Sequence, residues 1–268
     1  MRRPGLLIAL LIVATVLVDL VALSAVVSSG KEEPHPALIV LYSLSMAQVS
    51  LVALWAGLAG NSAPWRVIGL VLVIVLWSAL LAVALSYAPP EAIASIWTVL
   101  LLMQAVAVFV PLSVARAVGV RLVSVDDLDA IEEGGTGRRR LQFSLAYLLG
   151  WITAVAVTLG LLKYTVDYRT LSPYPGLWWK LFVLAVGNAA IALAVFWALL
   201  GTRWPGLRIP SLCLLTAAAI ASDRWLGDLN PFWAISALCL IQALWLAGSL
   251  GVFRVCGYRV VRRRRAGP

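Results

Sequence analysis

Apolar residues run along this chain in long, nearly unbroken blocks, and short clusters of polar residues, glycine and proline separate them. Seven blocks, at 5–29, 37–59, 65–88, 92–117, 142–165, 177–200 and 231–253, are each long enough for a helix to cross the ~30 Å hydrocarbon core of a bilayer. Breakers stand between them: Gly30 to Pro36, Asn61 to Pro64, Pro89 and Pro90, Pro173 to Gly176, and Asn230 with Pro231. An eighth block, 208–226, begins at Arg208 and Pro210 and meets Asp223 and Arg224 early. Its centre, Thr216 to Ser222, is rich in small residues, the composition of a helix packed closely against its neighbours. The first block follows Arg2 and Arg3 like the apolar part of a signal peptide. It runs to about Ser29, however, well past the usual 7–15 residues, and reads as a span that is kept.

Composition agrees with the pattern. Of 268 residues, 62% are hydrophobic and 12% charged, against about 25% charged in a soluble domain. One soluble core cannot hide so much apolar surface, so the bilayer is the expected solvent. The net charge is +9, and its placement decides the number of spans. With the N-terminus in the cytoplasm and eight spans, the inner segments carry 16 cations. These are Arg2, Arg3, Arg66, Arg116, Arg121, Arg138 to Arg140, Arg203, Arg208, Arg254, Arg259 and Arg262 to Arg265. The outer segments carry 5: Lys31, Lys163, Arg169, Lys180 and Arg224. Seven spans would place the arginine-rich tail outside, so the positive-inside rule favours eight. Arg262, Arg263, Arg264 and Arg265 suit anionic lipid headgroups, and no nucleic-acid-binding motif is present in the sequence.

The chain also resembles itself. Residues 104–123 and 242–261, aligned without gaps, agree at 8 of 20 positions, among them Gln104/Gln242, Arg116/Arg254, Gly119/Gly257 and Arg121/Arg259. Trp55 to Gly60 is more loosely like Trp197 to Gly201, and Arg2-Arg3 precedes the first helix as Arg139-Arg140 precedes the fifth. The expected architecture is therefore an all-α integral membrane protein of about eight transmembrane helices in two parallel four-helix repeats. The repeats cover 1–123 and 138–261 and are related by an axis along the membrane normal. An acidic cytoplasmic connector, 124–137, joins them, and a basic tail, 262–268, follows. In the connector Ser124 can cap a short helix, with Asp126 and Asp127 at its positive end and Gly134-Gly135 closing it.

Arg140 to Leu149 reads R-L-Q-F-S-L-A-Y-L-L, and the chain ends on Arg254-x-x-Gly257-Tyr258-Arg259-Val-Val-Arg262. Both segments resemble a group of uncharacterised planctomycete multi-pass membrane proteins, which share an R-x-Q-F-S-L-R-x-L-L helix entry and similar tails. Ala146 stands here where that group has arginine. The resemblance covers about a tenth of the chain. It implies a bacterial cell membrane and no particular activity.

Candidate chemistry is sparse. The single histidine, His35, lies between two prolines in an outer loop with no partner at metal-ligand spacing, and Cys213, Cys239 and Cys256 form no C-x-x-C pair. No hydrolase, metalloprotease or nucleotide-binding motif occurs. No catalytic residue, metal or cofactor is expected. Most tryptophans, among them Trp65, Trp204, Trp97, Trp178, Trp179, Trp225 and Trp233, fall near span ends as an aromatic belt.

Polar residues inside spans carry more information, because desolvating them is costly. Asp19 is the only acid deep within a span, and Gln48, Gln104, Asn188 and Gln242 place one amide near the middle of each even-numbered helix. If they converge, they form a midplane layer fit for a solute or proton. If they do not, they are interhelical glue. The leading expectation is a non-enzymatic membrane protein that acts through assembly or a membrane-protein partner. The alternative is a secondary transporter or carrier with its site around Asp19. A lipid-active enzyme comes third. Both termini are expected in the cytoplasm.

Overall fold

Hydrocarbon offers the backbone no hydrogen-bond partners, so an apolar segment that crosses it must satisfy its own amides and carbonyls. Every described segment long enough to do so is a helix. The computed structural model describes residues 4–28, 36–58, 65–84, 90–117, 120–124, 177–201 and 232–262. Among them six helices are long and apolar enough to cross a membrane. These are α1 (Pro4–Ser28), α2 (Pro36–Leu58), α3 (Trp65–Ala84), α4 (Pro90–Ala117), α5 (Leu177–Leu200) and α6 (Phe232–Val255). They match six of the expected spans within a few residues at each end. The other two, 142–165 and 208–226, lie outside the described residues, as does most of the connector.

Four helices form the centre. α2 and α5 each pack against both α4 and α6, and they also touch each other. α1 lies against α2 and reaches α6, while α3 covers α4 and α2. The core between them is apolar, with Leu41, Met46, Leu101, Ile191 and Leu246 fully buried. Small residues let the backbones approach. Ser43, Ser45 and Ser50 of α2 are fully buried, and a Cβ on Gly57 would sit 3.0 Å from the Leu112 Cβ of α4. α1 is peripheral and apolar over most of its surface, so Leu10, Val13, Leu17, Leu20 and Val21 are exposed, as expected of a lipid-facing helix.

Pairs of contacts at different heights fix the helix directions. Gln104 of α4 meets Met46 of α2, and Leu112, two turns on, lies beside Gly57, so α2 and α4 run the same way. Gln242 of α6 meets Asn188 of α5, and Arg254, three turns on, meets Leu199. α5 and α6 are therefore parallel as well. α4 and α6 end on a common face, because each leads within three residues into one strand of a two-stranded antiparallel ribbon, β1 (Val120–Ser124) and β2 (Tyr258–Arg262). All four central helices thus point the same way.

The ribbon departs from the all-α expectation. Ser124, read as the cap of a connector helix, instead closes β1 opposite Tyr258. Two features build the ribbon. Its strands are rich in β-branched valine, and Gly257 takes a left-handed φ of 90° that turns the chain out of α6. Val120, Leu122 and Val260 pack onto the helical core, so the ribbon seats on the end of the bundle.

Candidate functional site

The five intramembrane polar residues singled out from the sequence fall into two groups. Asp19 of α1 and Gln48 of α2 belong to the first. The Gln48 Nε2 donates to Asp19 Oδ2 at 2.7 Å, and Trp77 Nε1 of α3 donates to Gln48 Oε1 at 3.1 Å. An amide both donates and accepts, so Gln48 can bridge an acceptor and a donor on two different helices. The result is a polar chain that ties α1, α2 and α3 together near mid-depth. Asp19 Oδ1 is buried and has no hydrogen-bond partner among the described residues.

Gln104, Asn188 and Gln242 form the second group, inside the four central helices and almost fully buried. Gln104 Nε2 donates to the Met46 carbonyl at 2.9 Å and to Ser50 Oγ at 2.7 Å. Gln242 Nε2 donates to the Asn188 carbonyl at 3.3 Å, and Asn188 Nδ2 donates back to Leu184 O within its own helix at 2.9 Å. Among the described residues, the side-chain oxygens of all three, Gln104 Oε1, Asn188 Oδ1 and Gln242 Oε1, have no partner. No hydrogen bond between described residues joins Asp19 or Gln48 to this second group.

The two glutamine contacts have the same form. Aligning Trp55 with Trp197 brings Met46 onto Asn188, and these two residues supply the carbonyls that Gln104 and Gln242 reach. The second polar partner differs, since Ser50 of α2 corresponds to Ala192 of α5.

Sequence reading missed three participants: Ser50, Trp77 and Trp245, whose Nε1 is buried and has no partner among the described residues. Trp77 and Trp245 had a detectable signal. Each lies in the middle of a span, away from the interfacial belt where an indole N–H finds water, so each needs an acceptor supplied by protein or ligand. Ser50 had none, because serines are common in membrane helices and only the packing shows which one meets the amide.

Charge is separated along the bundle axis. Arg66, at the start of α3, lies 5.1 Å from the ring centroid of Trp55 near the end of α2. Arg116 and Arg254 occupy the last turns of α4 and α6, and Arg254 Nη1 donates to the Leu199 carbonyl at 2.7 Å. With Arg121, Arg259 and Arg262 in the ribbon, these gather at one end of the bundle, whereas Lys180 lies at the other, near the start of α5. Of the tail arginines expected to meet headgroups, Arg262 is in β2, and Arg263, Arg264 and Arg265 lie outside the described residues, as do His35 and Cys213. Among the described residues, no three His, Cys, Asp or Glu side chains are grouped to hold a metal ion. No family model, curated protein or solved structure matches the chain.

Proposed function

We propose that this chain is an eight-span, non-enzymatic protein of a bacterial cell membrane, built from two parallel four-helix repeats, that acts through assembly or partner binding within the bilayer. Direction supports the count of eight. α4 ends and α6 ends at the ribbon face, and α5 ends beside α6. Those directions fit a chain that recrosses the bilayer between 125 and 176 and again between 202 and 231. The apolar runs at 142–165 and 208–226 are the natural crossings. Matched contacts support the repeat, because Gln104 to Met46 and Gln242 to Asn188 fall on aligned positions.

The observation that carries the functional reading is the use made of the midplane amides. Gln48 and Gln104 donate to neighbouring helices, and Gln242 donates to Asn188 on α5. That is the behaviour of groups that fix packing. The basic end faces the cytoplasm under the positive-inside rule. Arg262 to Arg265 there attract anionic headgroups, and both termini are cytoplasmic. Extraction into native lipid discs tests the assembly. The expected particle contains more protein than one 28.8 kDa chain and survives Asp19→Asn. A lone chain in every disc would defeat the reading.

A second reading has one observation in its favour. The unpartnered Asp19 Oδ1 is an acceptor available to a proton or a solute donor, as a carrier requires. In proteoliposomes a carrier loses uptake on Asp19→Asn while its fold persists.

A further inference from the structure

Three buried polar atoms belong to residues of α5 and α6, and among the described residues none has a partner: Asn188 Oδ1, Gln242 Oε1 and Trp245 Nε1. Gln242 touches Asn188 through its amide at 3.3 Å. Trp245 follows Gln242 by three residues on the same helix, a spacing that puts both side chains on one face. Gln242 and Asn188 are 0% and 2% exposed, so bulk water and headgroups do not reach them. Two acceptors and one donor without partners in hydrocarbon are costly, and in native proteins such groups are normally satisfied by protein or by an ordered water or ligand.

The first half of the core shows what a self-satisfied version looks like. At the aligned positions it has Met46 for Asn188, Ser50 for Ala192 and Ala107 for Trp245. Gln104 there donates both to a carbonyl and to the Ser50 hydroxyl. In the second half the hydroxyl is gone, an extra carbonyl oxygen and an indole N–H are present, and the single remaining glutamine bond is longer. This comparison uses the proposed repeat; the three unpartnered atoms stand without it.

We propose that the α5–α6 contact is a buried binding site for one neutral O–H group. That group accepts from Trp245 Nε1 and donates to Gln242 Oε1 or Asn188 Oδ1. The lining is uncharged and the surroundings are apolar, which disfavours an ion. A hydroxyl supplies both a donor and acceptor lone pairs. It comes either from a trapped water molecule or from a small solute such as a polyol.

The full chain in lipid discs, labelled with 15N at the tryptophan indoles, tests this. Trp245→Phe identifies the Trp245 resonance among the twelve. If that variant does not fold, the indole signal that moves in both Asn188→Leu and Gln242→Leu serves instead. The expected signal is shifted downfield, as for a hydrogen-bonded indole, and moves upfield in both leucine variants. A cross-peak to water identifies trapped water. A downfield signal without one, lost after long dialysis against solute-free buffer, identifies a solute hydroxyl. An upfield signal indifferent to both leucine substitutions overturns the proposal. None of these outcomes depends on whether the halves are repeats.

Discussion

Leu122 and Val260 pair at the centre of the β1–β2 ladder, and they are as far apart in sequence, 138 residues, as Gln104 and Gln242. An antiparallel ladder centred on aligned residues is the pairing that a twofold axis generates. The flanking pairs keep the rule: Arg121 faces Val261 and Val123 faces Arg259, so each arginine has its aligned counterpart diagonally across the ribbon. The pairing joins the ends of α4 and α6, the last helices of the two proposed halves.

The ribbon gives the most direct test of that arrangement. In a chain with its native cysteines replaced, Leu122→Cys with Val260→Cys should form a disulfide under mild oxidation, since directly opposed Cβ atoms lie about 4.5–5.5 Å apart. Val120→Cys with Tyr258→Cys should not, because those residues sit at opposite ends of the ladder. Equal yields in the two variants would mean that the register is wrong. Gly257→Ala should loosen the same ribbon by about 1–2 kcal/mol, because its φ of 90° is strained for any residue with a Cβ. Faster amide exchange across 258–262 reports the loss.

Much of this was legible in the sequence, for a physical reason. A bilayer imposes one rule on every span, so length and apolarity alone place α1 to α6 within a few residues. The amide at the middle of α4 and of α6 was equally visible, because nothing but a contact explains Gln104 or Gln242 at that depth. The ribbon was not visible. Val120 to Ser124 and Tyr258 to Arg262 are five residues each, too short for a periodicity to declare itself, and their partners are over a hundred residues away. Nor could the sequence show that Gln48 turns toward Asp19 and Trp77 while Gln104 turns toward Ser50. Helix rotation decides that, and a helix that is apolar all round gives no stripe from which to read it.

The Asp19–Gln48–Trp77 chain predicts an order of effects. Gln48→Leu removes both bonds at once and leaves Trp77 Nε1 and Asp19 without their partner. It should cost the most, about 1–3 kcal/mol for two contacts of this kind in a membrane. Asp19→Leu removes one bond and should cost less, and Asp19→Asn keeps an acceptor for Gln48 and should be nearly neutral. Reversible unfolding in mixed micelles gives the three values. A larger loss for Asp19→Asn than for Gln48→Leu contradicts the packing role.

Glycine substitutions separate close helix contact from open space. A Cβ on Gly201 would lie 2.5 Å from the Trp197 carbonyl oxygen, and one on Gly57 would lie 3.0 Å from the Leu112 Cβ. Gly201→Ala must displace backbone and should lower the thermal midpoint clearly. Gly57→Ala presses α2 away from α4 and should lower it less. Among the described residues, a Cβ on Gly69, Gly248 or Gly251 would meet nothing within 4 Å outside its own helix backbone, so alanine there should be neutral or slightly stabilising, with an upper bound of about 1 kcal/mol from helix propensity. A thermal-shift series across the five positions checks the ranking.

Gln104 and Ser50 supply the test that bears most directly on the core. Their hydrogen bond, 2.7 Å long and fully buried, is one of two that the Gln104 amide donates. Ser50→Ala leaves the Met46 carbonyl as the remaining acceptor, so the amide keeps a partner and the loss should be modest. Gln104→Leu removes the donor and also the unpartnered Oε1, which offsets part of what is lost. A double-mutant cycle on the pair should return a coupling of about 0.5–1.7 kcal/mol, the range measured for single interhelical hydrogen bonds in membranes. The same cycle on Gln242 and Ala192→Ser installs in the second half the hydroxyl that the first half already has. If the two halves share one geometry, that serine couples to Gln242 with the same sign and similar size. A coupling of zero there, with a normal value at Gln104, would show that the halves pack differently despite their matched glutamines.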